Sequence, residues 1–152
     1  MSAGSPGREW VTRSESETVA AGRRLAAQLA PGAIVRLEGE LGAGKTCFTR
    51  GLAQGLGADP TNVHSPSFSL VHLYRDRTGK SVLYHVDLYR IDGDADLREI
   101  GLEEVFASGV PVAVEWAERI PEGRFDPAPG DWRVRLEVVA PRHRRIGIEE
   151  AA

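Results

Sequence analysis

A chain of 152 residues with 41% hydrophobic and 27% charged side chains has room for one globular domain with a modest core, and not for two. Its 19 Lys and Arg against 22 Asp and Glu leave a net charge of −3, which excludes nucleic-acid binding by bulk electrostatics, because neutralising phosphates takes a surplus of cations. A single cysteine, Cys47, excludes an intrachain disulfide and a cysteine-based metal site, the four histidines lack zinc-ligand spacing, and no apolar run approaches the roughly 18 residues that span a bilayer.

The opening "MSAGSPGREW" lacks the apolar block of a signal peptide, so a cytoplasmic location without membrane contact is expected. Residues 1–8 read as a flexible segment, and a single domain is expected over residues 9–150. A short strand is expected around Trp10 to Thr12. Ser14 and Glu17 then have the capping-box spacing that satisfies orphan helix amides, and Val19, Gly22, Ala26 and Leu29 carry one helix face until "APG" stops it. "AIVRLE" is mostly apolar and β-branched, as a buried strand should be, and "GELGAGKT" follows it directly. In the next helix Phe48, Leu52 and Leu56 repeat at i, i+4, i+8. Gly51 and Gly55 share another face at the same spacing; each costs about 1 kcal/mol of helix propensity, and both read as close-packing positions.

Downstream, "SFSLVHLYRD" and "KSVLYHVDLYR" alternate, are rich in β-formers and flank an "RTG" turn, which predicts an antiparallel pair. "DADLREIGLEEVFAS" predicts short helices and "VPVAVEW" another buried strand. "WRVRLEVVA" and "RRIGIEE" predict a hairpin, reached through the Pro/Gly loop "PEGRFDPAPGD". Strands that alternate with helices early and pair with each other late imply an α/β fold with a mixed sheet, parallel at its centre.

Gly39, Gly44, Lys45 and Thr46 complete the pattern G-x-x-x-x-G-K-[ST] between a strand and a helix. The glycines permit backbone conformations in which successive amides point inward, and the helix N-terminus adds about half a positive charge at the same place. The result is an anion nest. From it Lys45 reaches toward β- and γ-phosphates, and the Thr46 hydroxyl suits a ligand position on Mg²⁺. Such a cradle needs acids to hold the metal or orient water. In "LYHVDLYR" the strand period puts His85, Asp87 and Tyr89 on one face, opposite Val86 and Leu88, and Glu115 ends an apolar strand, where open α/β sheets place their ligands.

Other residues leave two readings each. Ser65 and Ser67 in "HSPSFSL" are hydroxyls suited to sensing a γ-phosphate, or parts of a capped turn. Trp116 stacks near a nucleotide or fills the core. Cys47 packs through its side chain and offers its backbone amide to the cradle. The basic cluster Arg142 to Arg145 contacts RNA, a partner or a phosphate, or is a solvated hairpin.

"LEGELGAGKTCFTRGLAQGLG", "VHSPSFSLVHLY", "YHVDLYRI", "EIGLEEVF" and "AVEWAERIPE" follow one another in the order and approximate spacing of the TsaE (YjeE) family, which the chain resembles over essentially its whole length. That family comprises bacterial P-loop ATPases of tRNA threonylcarbamoyladenosine (t6A) synthesis. The resemblance implies ATP and Mg²⁺ as cofactors. Glu40, Leu41, Gly42, Ala43, Gly44, Lys45, Thr46 and Cys47 would form the phosphate site, with Glu15, Trp116 and Arg142 beside the nucleotide. Thr46, Glu115 and Asp87 would serve the metal, and Lys45, Asp87 and Glu115 the chemistry. Ser65 and Ser67 fall in the family's "SPT" switch, with Ser67 where Thr is usual; the family's "EWP" reads Glu115, Trp116, Ala117. The implied partners are proteins of the TsaD and TsaB families, with tRNA reached indirectly and no DNA. The sequence has no N-K-x-D motif for guanine and no Arg-rich lid, so an accessory ATPase, weak alone, is expected, with Arg90 or a partner's arginine as candidate finger. The rival expectations are a small-molecule kinase and a nucleotide-gated binding module whose hydrolysis is incidental.

Overall fold

The computed structural model describes residues 7–66 and 70–152. The chain forms one seven-stranded sheet in the order β1-β7-β6-β2-β5-β4-β3. These strands are β1 (Arg8–Thr12), β2 (Ile34–Glu38), β3 (Val71–Arg75), β4 (Ser81–Asp87), β5 (Val112–Glu115), β6 (Trp132–Ala140) and β7 (His143–Glu150). The centre is parallel, with β2 between β5 and β6 and with β4 beside β5. Both edges are antiparallel: β3 on β4, and β1 and β6 on the two sides of β7. The mixed sheet with a parallel core is therefore the one the sequence implies. Arg8, assigned by sequence to the flexible segment, pairs with Ile148 as the first residue of β1.

Helices α1 (Glu15–Ala26) and α2 (Lys45–Gly55) cover one face, and α3 (Asp94–Glu99) and α4 (Leu102–Phe106) belong to the core of the other. The two cores separate by strand alternation. Val35 and Leu37 of β2 join the α1/α2 side, whereas Ile34 of β2 and Val112 and Val114 of β5 join the α3/α4 side. Arg36 lies buried in β2 because Asp131 compensates its charge: one carboxylate oxygen accepts from the guanidinium at 3.2 Å and the other from the amide of Ile34 at 3.0 Å.

Helix α1 starts at the expected cap. Ser14 Oγ accepts from the Glu17 amide at 3.1 Å, while the Glu17 carboxylate accepts from the Arg13 amide at 3.0 Å, one residue before the cap. Its buried seam is centred on Thr18, Ala21, Gly22, Leu25 and Ala26, with Val19 and Leu29 only half-buried, so the sequence set the apolar face slightly off its true centre. In α2, Phe48 and Leu52 are fully buried, and the glycines face α1. A Cβ on Gly22 would lie 2.1 Å from the carbonyl oxygen of Phe48, and one on Gly51 would lie 1.9 Å from that of Val19. The two helices thus touch backbone to backbone, and this contact seats the start of α2 against the sheet.

Gly51→Ala adds the methyl group that this contact has no room for. It is expected to destabilise the fold by about 1–3 kcal/mol through overpacking, outweighing a gain of about 1 kcal/mol in helix propensity. A urea midpoint at or above that of the native chain would contradict the backbone-to-backbone packing.

Candidate nucleotide site

The carboxyl ends of β2, β5 and β4 lie side by side, and the loop after β2 leads into α2. Three glycines shape that loop: Gly39, Gly42 and Gly44 have φ of 154°, 80° and 103°, and Gly44 is the left-handed residue that caps α2. A Cβ at Gly39 would also meet the Leu136 carbonyl oxygen at 2.5 Å, so this position needs glycine for space as well as for conformation. The loop opens on a cavity of about 830 Å³, the size range of nucleotide and cofactor sites.

The cavity wall brings together most of the residues singled out from sequence. Leu41 to Cys47, Glu15, Ser65, Asp87, Glu115, Trp116 and Arg142 all line it. Glu40 does not; its contribution is a carbonyl that accepts from the Lys45 ammonium at 3.0 Å. Ser67 lies outside the described residues. Tyr89 lines the cavity, but not as a strand neighbour of Asp87: β4 ends at Asp87, and the chain turns there because the Asp87 carboxylate accepts from the Tyr89 amide at 2.9 Å. The chain as a whole is acidic, yet this wall carries Lys45, Arg90, Arg142 and Arg144 against Glu15, Asp87 and Glu115, so it is locally cationic.

Three short-range contacts organise the site. Thr46 Oγ1 donates toward the two Glu115 carboxylate oxygens at 3.0 and 3.2 Å, joining the start of α2 to the end of β5. Ser65 Oγ donates to Asp87 Oδ2 at 2.7 Å, bringing the predicted switch hydroxyl to the predicted metal- or water-orienting acid. Lys45 Nζ donates to the carbonyls of Gly39 and Glu40 and lies 3.9 Å from the centroid of the Trp116 ring. Burial holds the Lys45 pKa below the ordinary lysine value, partly opposed by the nearby Glu115 carboxylate.

Trp116 packs against the α3/α4 core, one of its two sequence readings, and also faces the cavity, with Tyr89 at 4.9 Å. Its φ of 59° is left-handed, and a 3-10 turn over Ala117–Arg119 follows, so the turn forms with Ala117 where the resembled family has proline. Cys47 is half-buried; burial raises its thiol pKa, and Glu15 pushes it the same way.

The oxygens of Thr46 and Glu115 are the hard donors that Mg²⁺ prefers. Among the described residues no group of three or more His, Cys, Asp or Glu side chains could hold a metal ion alone. A cation here would complete its shell from phosphate oxygens and water, as Mg²⁺ commonly does, and the residues present fit it.

Sequence reasoning missed two features. Arg144, counted only within the basic cluster, donates to the carbonyl of Gly42 at 3.1 Å, and to those of Ala140 and His143 at 3.3 and 3.1 Å. It ties the glycine loop to the β6–β7 turn. Strand alternation puts Arg144 on the side of Ile146 and Ile148, whose burial faces it toward α2; that was the available signal. The second feature is a buried polar chain behind Glu115, whose Oε2 lies 2.5 Å from His85 Nε2, while His85 Nδ1 lies 2.8 Å from the Tyr74 hydroxyl. Burial pushes the Tyr74 pKa up to about 12, so the phenol keeps its proton.

A family model described as "Threonylcarbamoyl adenosine biosynthesis protein TsaE" matches residues 12–146. The chain belongs to the TsaE family. It is 42% identical over 114 residues to the tRNA threonylcarbamoyladenosine biosynthesis protein TsaE of Bacillus subtilis, covering 75% of this chain and 69% of that one. With the TsaE protein of Treponema pallidum it shares 42% identity over 111 residues, or 72% and 78% of the two chains. The fold matches the crystal structure of Bacillus subtilis YdiB with a TM-score of 0.68 at 31% identity, over 97% of this chain and 87% of that one. The family is one of t6A biosynthesis. Among the described residues no helix is long and apolar enough to cross a membrane.

Two outcomes check the site. Arg144→Ala removes a clamp on the glycine loop worth about 1 kcal/mol, so local opening of that loop, read by amide hydrogen exchange around Gly42, is expected to rise about fivefold. Because its pKa is raised, Cys47 holds less thiolate in the folded protein than in the unfolded chain at any pH up to its ordinary range. Alkylation by iodoacetamide at pH 8 is therefore expected to be slower in the native protein than in urea, and equal rates would contradict the burial.

Proposed function

We propose that this TsaE-family protein binds ATP with Mg²⁺ in the cavity between the glycine loop and the ends of β4 and β5. We further propose that it hydrolyses ATP slowly alone, and that hydrolysis supports a partner complex of TsaD- and TsaB-family proteins in forming t6A on tRNA. The observation that carries this reading is the Thr46–Glu115 pair at the start of α2, beside Asp87 and the left-handed glycine loop on one cavity wall.

Each group has a role that follows from its position. The glycine loop and the α2 N-terminus would hold phosphate oxygens through backbone amides without a side-chain charge, the Ala43 amide excepted because it donates to the Glu40 carbonyl at 3.0 Å. Lys45 exchanges its carbonyl partners for β- and γ-phosphate oxygens, a stronger charge-assisted contact for a buried ammonium. Thr46 and Glu115 would hold Mg²⁺, which when bound neutralises charge developing on the phosphates. Asp87 lies next to Glu115 across the β4–β5 register and is suited to orient the attacking water or a metal-bound one. Ser65 holds the Asp87 carboxylate, so movement of the loop that carries it would be felt at the acid. Trp116 walls the site and shields Lys45 from water.

The cationic wall and the acid pair serve ATP and water, and among the described residues the cavity wall offers no second set of convergent groups that would select an acceptor metabolite. This favours a partner-directed ATPase over a small-molecule kinase. Loss of the TsaD and TsaB partners should therefore leave only slow turnover, because an arginine from outside or a rearranged Arg90 would be needed to stabilise the transferring phosphoryl group.

The test is reconstitution of t6A formation with TsaD- and TsaB-family proteins, tRNA and ATP, comparing the native chain with Lys45→Ala and Glu115→Ala. Both variants are expected to lose at least about 100-fold in modified tRNA formed, on the scale of removing one electrostatic catalytic group. Asp87→Ala is expected to stall the cycle with nucleotide still bound. Undiminished modification by Asp87→Ala would favour the nucleotide-gated module, and ATP consumption stimulated by a metabolite and not by the partners would favour the kinase.

A further inference from the structure

The buried chain behind Glu115 carries an inference that rests on reading Thr46 and Glu115 as the metal-holding pair. His85 Nε2 donates to Glu115 Oε2 at 2.5 Å, since a carboxylate that holds a cation has no proton to give. His85 Nδ1 lies 2.8 Å from the Tyr74 hydroxyl, much nearer than the His64 carbonyl at 3.5 Å, so the ring is the main partner of the phenol. Tyr74, His85 and Glu115 thus form one relay of hydrogen bonds from β3 through β4 to β5.

Position gives the relay its purpose. His85 is fully buried and Glu115 is 3% exposed, so no water is needed to satisfy either group. The parallel register pairs His85 with Ala113, and Asp87 with Glu115, so the imidazole sits one strand over and two residues back from the acid it holds. The Glu115 carboxylate is thus gripped from the interior by His85 and faces Thr46 on the cavity side. Asp87 is held separately, by Ser65 and the Tyr89 amide, both outside β4.

We propose that His85, itself oriented by Tyr74, is a positioning residue that locks the Glu115 carboxylate in the one rotamer that presents its oxygens beside Thr46 to a divalent cation. Metal-ligating groups are commonly set by such outer partners, and losing one typically costs about 10–100-fold in metal affinity or activity. A relay that served only to satisfy buried polar groups would act otherwise. Its loss would weaken the fold, and nucleotide binding would change equally with and without metal.

The experiment measures binding of a non-hydrolysable ATP analogue by calorimetry, in EDTA and across a Mg²⁺ series, for the native chain, His85→Leu, His85→Gln and Tyr74→Phe. His85→Leu is expected to raise the Mg²⁺ concentration for half-maximal tightening by about tenfold or more, while affinity in EDTA stays within about twofold. His85→Gln keeps an N–H donor and should recover part of the loss. Tyr74→Phe removes a single hydroxyl from a residue that keeps its ring, and should shift the Mg²⁺ requirement about threefold in the same direction. The positioning role is overturned if the variants keep the native Mg²⁺ requirement, or if affinity in EDTA falls by the same factor as affinity in Mg²⁺. A native chain whose binding ignores Mg²⁺ overturns the metal-holding reading as well, which separates that failure from a failure of the relay alone.

Discussion

The contact on which the site depends is the one between Thr46 at the start of α2 and Glu115 at the end of β5. It brings a buried carboxylate to the positive end of a helix, where the dipole favours negative charge and the loop amides still lack helical partners. Elsewhere in a small core a buried glutamate would be a liability. Here the helix N-terminus, Thr46 and His85 share the charge, and the same arrangement leaves hard oxygens facing the cavity. A group that would otherwise destabilise the fold becomes the centre of the proposed metal site.

That contact requires α2 to be held in place along its length, and the glycine faces provide it. Gly22 and Gly51 let α1 and α2 approach until a methyl group on either would strike a carbonyl oxygen. The two helices then act as one layer, with Phe48 and Leu52 pressed into the sheet below. The costs of the glycines in helix propensity are repaid in geometry, since a looser α2 would move Thr46 away from Glu115. Gly44, left-handed at the helix start, sets the opposite constraint by turning the loop back over the cavity.

Much of this was legible in the sequence, for reasons that differ by element. Strands β2 and β5 are short, apolar and β-branched, and the glycine loop has a spacing that few other structures require, so Lys45, Thr46 and Glu115 were readable from local pattern. The close-packing role of Gly51 was readable because a glycine in a helix interior needs a reason. Tyr89 was misplaced because period-two alternation assumes that the strand continues, whereas the Asp87 side chain captures the Tyr89 amide and ends it. The α1 seam was set off-centre because Val19 and Leu29 carry the apolar signal; Gly22 and Ala26 lie on it as expected, but it runs on through Thr18, Ala21 and Leu25. The relay through Tyr74 was readable only in part. The "RTG" turn signals that β3 lies antiparallel beside β4, but no local spacing encodes that β4 will lie parallel beside β5, so the contact from His85 to Glu115 had no signal.

Trp116 shows how strain and charge are reconciled at the mouth of the site. A left-handed conformation costs a bulky residue on the order of 1–3 kcal/mol, so the surroundings must hold it there. They do so through the indole: Tyr89 packs on one side, Arg119 approaches at 5.7 Å, and the Lys45 ammonium lies over the ring. The same turn carries the chain out of β5 immediately after Glu115, so the strained residue and the acid cannot move independently. Lys45 meanwhile is buried among neutral partners, two carbonyls and an aromatic face, and burial lowers its pKa despite Glu115 nearby. A buried cation with only neutral direct partners is better satisfied by an anion than by anything the chain itself supplies. The geometry that strains Trp116 therefore also keeps Lys45 desolvated beside the glycine loop, where the proposed ATP phosphates would supply its missing anion.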